Sequence, residues 1–230
     1  IHYAEDGSAI GTPHSFLEFA GEAVFLDYYE DPLYITNGSA PPSELVSTDV
    51  VDYKIVGDSL YVWTNGDIVR VREDRSTQVI YDNDASAALS GLQIRYIFEF
   101  NDALWVRASS GTDNDFYRYD PGTGVFSEMN VAENSGGDSL YFRYGDVTDG
   151  MMFSWFYHRD FGRELYVSDG TSGSFSRVLD INVGSSSSYV ANSPSAALGN
   201  SLIFIADNGS SDDEELWVSD GTSAGTFALT

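Results

Sequence analysis

The 230-residue sequence contains no cysteine and a single lysine, Lys54. Without cysteine there is no disulfide framework, no thiolate metal site and no cysteine nucleophile. The three histidines, His2, His14 and His158, are scattered, and neither a Gly-x-Ser-x-Gly nor a His-Glu-x-x-His motif is present. No segment reaches the roughly 18 consecutive apolar residues of a transmembrane helix. Nucleophilic catalysis and membrane insertion therefore find little support in the sequence.

Basic residues are scarce in general, with 11 Lys and Arg against 36 Asp and Glu and a formal net charge of −25. Nucleic acid is not an expected partner, because binding it requires a basic stripe that displaces counterions. Self-repulsion at this charge keeps a protein soluble but destabilises the compact state unless cations are present. The composition suits a salty, marine or halophilic setting or a calcium-rich exterior, and it does not distinguish between these.

What the sequence does contain is an internal repeat. Residues 164–171 read ELYVSDGT and residues 215–222 read ELWVSDGT, and the period is 220 − 169 = 51 residues. The Leu-aromatic-Val run favours a strand, and Ser-Asp-Gly-Thr favours a tight turn in which Asp accepts backbone hydrogen bonds and Gly takes a positive φ. Each copy therefore predicts strand, turn, strand, with Asp169 and Asp220 locking the turns rather than binding a ligand.

The octapeptide resembles the bacterial ELWxDGT repeat family, whose units continue into a Gly-Thr pair that is present here as Gly225-Thr226. Residues 6–12, DGSAIGT, resemble a third and degraded copy. The clear match covers roughly residues 135–230. The resemblance implies a β-propeller-like fold and a secreted or cell-surface location, and it implies no chemistry.

A weaker marker, a small turn followed by a hydrophobic-aromatic-hydrophobic strand, recurs along the whole chain. The steps between its copies are 36, 44, 48 and 50 residues (59 − 23, 103 − 59, 151 − 103 and 201 − 151). The equivalent positions are Ala23, Ser59, Ala103, Met151 and Ser201. A competing match at 137–142 leaves the register of the fourth copy open.

Four short strands around each marker give repeat units of about 14–49, 52–82, 93–130, 139–181 and 188–230, with 1–13 as an extra strand and turn. Four antiparallel strands at such a period are typical of propeller blades. The sequence thus predicts an all-β fold and one domain over 1–230, a five-bladed β-propeller. The alternative is part of a larger propeller or repeat array, and both ends of the sequence look cut or processed.

The loops between the second and third strands of each unit are expected on one face, and all five carry acids. Residues 157–163, YHRDFGR, break the acidic pattern, because they also gather two of the ten arginines and a histidine. Arginine forks suit carboxylates or sulfates, and aromatic rings stack on sugar faces. The alternative is that both arginines pair with Asp160 and Glu164. The predicted ligand-binding residues are Trp155, Tyr157, His158, Arg159 and Arg163.

The densest acidic loop, 207–215, is a candidate calcium site, because Ca²⁺ binds six to eight oxygen ligands of the kind that Asp and Asn supply. Its predicted ligands are Asp207, Asn208, Asp212 and Asp213. The spacing does not match an EF-hand, and the alternative is a solvated acidic loop.

These features predict a non-enzymatic binding or adhesion module, secreted or displayed at the cell surface, that recognises carbohydrate through loops on one face. Its expected partner is a glycan or another surface protein. One alternative is a carbohydrate-active hydrolase or lyase, although acids are too abundant here for any carboxylate pair to be singled out. Another is a purely structural repeat of a longer surface protein.

Overall fold

We describe the chain from a computed structural model, in which the described residues are 2–3, 9–10, 13–27, 32–47, 49–82, 93–110, 113–129, 147–148, 150–191, 193–210 and 214–229. The regular structure in these ranges is β-strand. They contain no helix of the length and apolarity that a membrane crossing requires.

Five four-stranded antiparallel sheets follow one another along the chain, after a short strand pair formed by β1 (His2–Tyr3) and β2 (Ala9–Ile10). The first sheet contains β3 (Pro13–Phe19), β4 (Glu22–Asp27), β5 (Leu33–Thr36) and β6 (Ser43–Val46). The second contains β7 (Val50–Val56), β8 (Ser59–Thr64), β9 (Asp67–Arg72) and β10 (Thr77–Asp82). The third contains β11 (Gln93–Phe100), β12 (Ala103–Ser110), β13 (Asp113–Asp120) and β14 (Val125–Met129).

The fourth sheet contains β15 (Val147–Thr148), β16 (Met151–His158), β17 (Gly162–Ser168) and β18 (Ser176–Arg177). The fifth contains β19 (Ser195–Leu198), β20 (Ser201–Ala206), β21 (Glu215–Ser219) and β22 (Phe227–Ala228). In every sheet the strands pair in sequence order. Five such meanders confirm the predicted all-β fold with the four-stranded sheets of propeller blades.

The fourth sheet settles the register that the sequence left open. Thr148 pairs with Met151, so the marker strand of this unit begins at Met151. The competing match at 137–142 lies outside the described residues. Residues 1–13 differ from the single extra strand that was expected, because they contribute the β1–β2 pair and the first residue of β3.

The predicted equivalence of Ala23 with Ser59 is wrong by one residue. Phe19 pairs with Glu22 across the first hairpin, as Val56 pairs with Ser59 across the next. Glu22 is therefore the equivalent of Ser59, and the step between these units is 59 − 22 = 37 residues.

The error comes from the position of glycine in the turns. Gly57 and Gly199 occupy the first turn position, with φ of 57° and 58°. In the first sheet Ala20 takes that position with φ of 52°, and Gly21 follows in the second. Since glycine is the residue that adopts positive φ without strain, the sequence pattern aligned Gly21 with the wrong turn position.

The chain divides into two compact units. The first comprises Ile1–Gly91, Tyr96–Trp105 and Tyr119–Phe126, and the second comprises Leu92–Arg95, Val106–Arg118 and Ser127–Thr230. In the first unit, the first two sheets share a buried core of alternating residues that includes Val24, Leu26, Leu60 and Val62. Burying each such side chain contributes roughly 1.5–3 kcal/mol.

In the second compact unit, the fourth and fifth sheets share the equivalent core. Phe153, Trp155 and Leu165 of the fourth sheet pack with Phe204 and Trp217 of the fifth. This core holds the β16–β17 hairpin, whose end carries the predicted ligand-binding residues.

Candidate functional site

The two repeat turns have the predicted chemistry. Asp169 Oδ1 accepts the Thr171 amide at 2.9 Å and hydroxyl at 2.7 Å, and Asp220 Oδ1 accepts the same groups of Thr222 at the same distances. Gly170 and Gly221 have φ of 86° and 84°. These hydrogen bonds hold the pKa of both aspartates below the usual value. The octapeptide turns are thus closed by their own side chains.

The β16–β17 hairpin places the predicted site residues at its turn and in the strand positions just before and after it. Trp155 pairs with Leu165, Tyr157 with Arg163, and His158 with Gly162. The chain reverses between His158 and Gly162, where the Phe161 amide donates to the His158 carbonyl at 3.1 Å. Alternation along β16 brings Trp155 and Tyr157 to the same side, as predicted, but at different depths.

Trp155 belongs to the core and not to the exposed tip. Its side chain is 5% exposed. It meets the rings of Tyr189 and Phe204 edge-on, at centroid distances of 5.4 and 5.8 Å. Such contacts contribute about 0.5–1.5 kcal/mol each beyond area burial. Trp155 therefore supports the hairpin and offers no ring face to a ligand.

Tyr157 and Arg159 form the exposed part of the tip. Tyr157 is 42% exposed. The Arg159 side chain is 76% exposed, and its Nε lies 3.8 Å from Asp160 Oδ2. An ion pair between groups this exposed is worth at most about 1 kcal/mol, so the guanidinium is readily redirected to a ligand. The alternative predicted from the sequence was that the arginines pair with local acids. Arg159 does lie beside Asp160, but its guanidinium stays exposed to solvent.

Three side chains that pack on one another support the tip. The His158 and Phe161 ring centroids are 4.9 Å apart, and the guanidinium carbon of Arg177 lies 3.5 Å from the Phe161 centroid. The Asp160 amide donates to His158 Nδ1 at 3.1 Å, which requires that nitrogen to be unprotonated. His158 therefore shapes the turn, and Arg177 is a third arginine in the region that the linear motif did not include.

Arg163 is turned toward the segment that follows the fourth sheet. Its guanidinium carbon lies 5.0 Å from the Tyr189 ring centroid. Its amide donates to Ser187 Oγ at 2.9 Å, and its carbonyl accepts the Ser188 amide at 3.0 Å. Arg163 thus anchors residues 187–189, and a site at the tip is built from Tyr157 and Arg159.

Glu164 was expected as an arginine partner and has a different role. It is fully buried, with Oε2 accepting the Ile181 amide at 3.0 Å and the Ser188 hydroxyl at 2.6 Å. Its Oε1 accepts the Ser188 amide at 3.2 Å. Burial raises the pKa of this carboxyl to about 7, although the hydrogen bonds from Ser188 and Ile181 oppose the rise. A raised pKa is common at catalytic acids, but this carboxyl is enclosed by its donors.

The predicted calcium loop is described only in part. Asp207 Oδ1 accepts the Gly209 amide at 2.6 Å, and Asn208 Oδ1 accepts the Ser210 amide at 2.8 Å. Both side chains thus help to form the turn. Asp212 and Asp213 lie outside the described residues. Within the ranges that are described, no group of three or more potential metal-ligating side chains comes together.

The first sheet has an open groove that was not predicted from the sequence. It has a volume of about 530 Å³. Its wall includes Phe16 and Leu17, which are 59% and 41% exposed. Ser15 has a φ of 57°, and the pairing of β3 with β4 shifts between His14 and Leu17. Two consecutive apolar residues on a strand are a readable signal, because one of them must leave the core face.

No protein-family model and no curated protein matches this sequence. Solved structures do resemble it. Puromycin hydrolase aligns over 96% of this chain and 38% of its own, with 14% identity and a TM-score of 0.60. Oligogalacturonate lyase in complex with manganese aligns over 92% of this chain and 62% of its own, with 13% identity and a TM-score of 0.57.

The extracellular domain of a one-component system from B. thetaiotaomicron aligns over all of this chain and 29% of its own, with 16% identity and a TM-score of 0.53. The chain therefore spans less than two thirds of each of these proteins. Identities this low establish the fold alone, which is that of β-propeller blades. The resemblance to the ELWxDGT family stays a prediction.

Proposed function

We propose that this chain is a non-enzymatic binding module of a secreted or surface protein, and that it recognises carbohydrate through the 157–163 tip. The observation that carries the proposal is that Tyr157 and Arg159 are both exposed at the end of a hairpin that is anchored by the buried Trp155. A half-exposed ring offers an apolar face to a sugar, and a guanidinium offers a fork of donors to a carboxylate or sulfate substituent.

The surrounding structure supports recognition by a preorganised site. Trp155 is buried, and the rings of His158 and Phe161 pack against each other, so the backbone of the tip costs little entropy to order on binding. The chain has a net charge of −25, so most of its surface repels anions, and an arginine in this loop provides a place where an anionic group can bind. An acidic glycan with few charges, such as a singly sulfated or uronic acid-containing oligosaccharide, is the favoured ligand class.

The extracellular setting is supported by the shared fold of the one-component-system domain and by the acidic, lysine-poor composition. The same fold also serves a hydrolase and a lyase among the similar structures, so fold alone does not separate binding from catalysis. The difference lies in the site: Tyr157 and Arg159 provide contacts, whereas a hydrolase needs a general acid and a second carboxylate around the reacting bond.

The test is a glycan array, followed by calorimetry on the glycans that bind. The double variant Tyr157→Ala with Arg159→Ala is expected to lose binding while its melting temperature stays within about 2 °C of the parent, because both side chains are exposed. The matched control is Arg118→Ala, since Arg118 is also an exposed arginine but lies on β13. It is expected to bind as the parent does.

Unchanged binding in the double variant, or an array with no binding at all, contradicts the proposal. Incubating each bound glycan with the protein and analysing the products by mass spectrometry addresses the enzymatic alternative. Intact glycan is expected, and cleavage of the glycan would make the chain a hydrolase or lyase.

A further inference from the structure

Glu164, the first residue of the repeat motif, holds the connection between the fourth and fifth sheets in place. Glu164 accepts the Ile181 amide and both the amide and the hydroxyl of Ser188. The Asp207 amide then donates to the Ser188 carbonyl at 3.0 Å. The segment 180–190, which we call the linker segment, therefore lies between the end of one sheet and the end of the next, and Glu164 is its main anchor.

The second copy of the motif reproduces the backbone of the first in register. The Val178 amide donates to the Leu165 carbonyl at 2.9 Å, and the Leu229 amide donates to the Leu216 carbonyl at 2.7 Å. Both residues of the second pair lie 51 positions after their counterparts (229 − 178 and 216 − 165). The equivalence therefore extends from the octapeptide to Val178, two residues before the linker segment.

Glu215 is the counterpart of Glu164, and its environment is incomplete. Its Oε1 accepts the Ser210 hydroxyl at 3.0 Å. Its Oε2 is shielded from solvent and has no hydrogen-bond partner in the part of the chain that the structure describes. A buried carboxylate oxygen without a donor costs roughly 1–3 kcal/mol, so this atom is poised to gain from an incoming N–H or O–H group.

The sheet face beside Glu215 is also less covered than its counterpart. Trp155 and Leu165 pair on the fourth sheet and are 5% and 0% exposed, because the fifth sheet packs on them. Ile205 and Leu216 make the same pair on the fifth sheet and are both partly exposed. Glu215 Oε2 and the partly exposed Ile205–Leu216 pair thus occur together. At the equivalent place in the preceding repeat, the linker segment and the fifth sheet cover the corresponding groups.

Glu215, Ile205 and Leu216 together form a surface that we call the Glu215 edge. We propose that this edge is a docking site for a segment like residues 180–190, following Leu229 in the register in which residues 180–190 follow Val178. The segment is recognised by its donors: an apolar residue whose amide reaches Oε2, and a serine seven positions later whose amide and hydroxyl both reach the carboxylate. The linker of a second copy of this chain is not the occupant, because its Ile181 and Ser188 already bind its own Glu164. The inference is independent of carbohydrate binding.

The experiment grafts this chain's own linker behind the second motif. Thr230 takes the place of Leu179, since 179 + 51 = 230, and a copy of residues 180–190, DINVGSSSSYV, is added after it. The graft is expected to raise the melting temperature by about 4 °C or more, since new buried hydrogen bonds form within a chain of this size. Hydrogen exchange is expected to show protection at the grafted counterparts of Ile181 and Ser188.

Two controls assign the effect to Glu215. Glu215→Ala in the grafted chain is expected to abolish both the rise and the protection. A graft with the counterpart of Ile181 changed to proline and that of Ser188 to alanine removes two of the three donors and is expected to give no rise. A graft that neither stabilises the chain nor becomes protected overturns the inference, as does stabilisation that persists in the Glu215→Ala background.

Discussion

Ser188 is bound twice by Glu164, through its hydroxyl at 2.6 Å and through its amide at 3.2 Å. The two residues lie on different elements, one on β17 and the other in the linker that leads to the fifth sheet. The first residue of the repeat motif therefore acts across the repeat boundary, whereas the Asp-Gly turn of the same motif acts within its own sheet.

Glu164→Ala tests the contribution of this contact to stability. The variant leaves the Ile181 amide without a partner and creates a cavity, so we expect a loss of about 2–3 kcal/mol in the free energy of unfolding. Urea denaturation measures it. Glu215→Ala is the matched control, with the same change at the equivalent position, and is expected to cost less than about 1 kcal/mol, because within the described residues Oε2 lacks a donor and Oε1 accepts only the exposed Ser210 hydroxyl. Equal losses would contradict the assigned role.

The same carboxyl predicts a pH dependence of stability. Its pKa is about 7 in the folded protein and the usual 4.5 when solvated in the unfolded chain. Between these pH values the folded state holds a proton that the unfolded state has released, so the free energy of unfolding falls as the pH rises. Glu164→Gln is neutral throughout and therefore lacks this contribution.

We expect the stability of the parent to fall relative to Glu164→Gln between pH 5 and pH 8, by an amount on the order of 2 kcal/mol. Comparing the two proteins removes the general effect of the many other acids, which both share. Parallel pH profiles would show that the carboxyl titrates at its ordinary pKa in the folded state.

Features that depend on residues close together in the sequence were predictable, and contacts between residues far apart in the sequence were not. Strands and turns were predictable, because period-two alternation and the Asp-Gly turns are local. The one-residue error at Ala23 arose where Ala20 takes a turn conformation that normally selects glycine. The linker contacts were not predictable, since Glu164 and Ser188 are 24 residues apart and no local pattern marks a buried carboxylate. The site was predictable in part: Tyr157 and Arg159 are exposed, but burial of Trp155 depends on the next sheet.

Gly162→Ala tests how closely the linker packs on the hairpin. Gly162 has a φ of 66°, and an added Cβ would collide with the Ser186 carbonyl. Gly199 has a φ of 58° in the β19–β20 turn, and an added Cβ there meets no atom within 4 Å. Both substitutions incur the roughly 1 kcal/mol cost of a left-handed alanine. We expect Gly162→Ala to cost about 2 kcal/mol more than Gly199→Ala in urea denaturation, and similar losses would mean that the linker moves aside freely.

The calcium prediction at the 207–215 loop is separable from general screening of the −25 charge. Any salt should stabilise this chain by reducing self-repulsion. A specific site adds mass-action stabilisation that depends on the ion, so CaCl₂ is expected to raise the melting temperature above the value in NaCl of equal ionic strength. Asp207→Ala should remove that difference and leave the NaCl response intact. Asp74→Ala is the matched control, because Asp74 also closes a turn by accepting an amide, that of Ser76 at 2.9 Å, but lies between β9 and β10. If CaCl₂ and NaCl act alike on the parent, the acidic loop is solvated and its charge is simply screened.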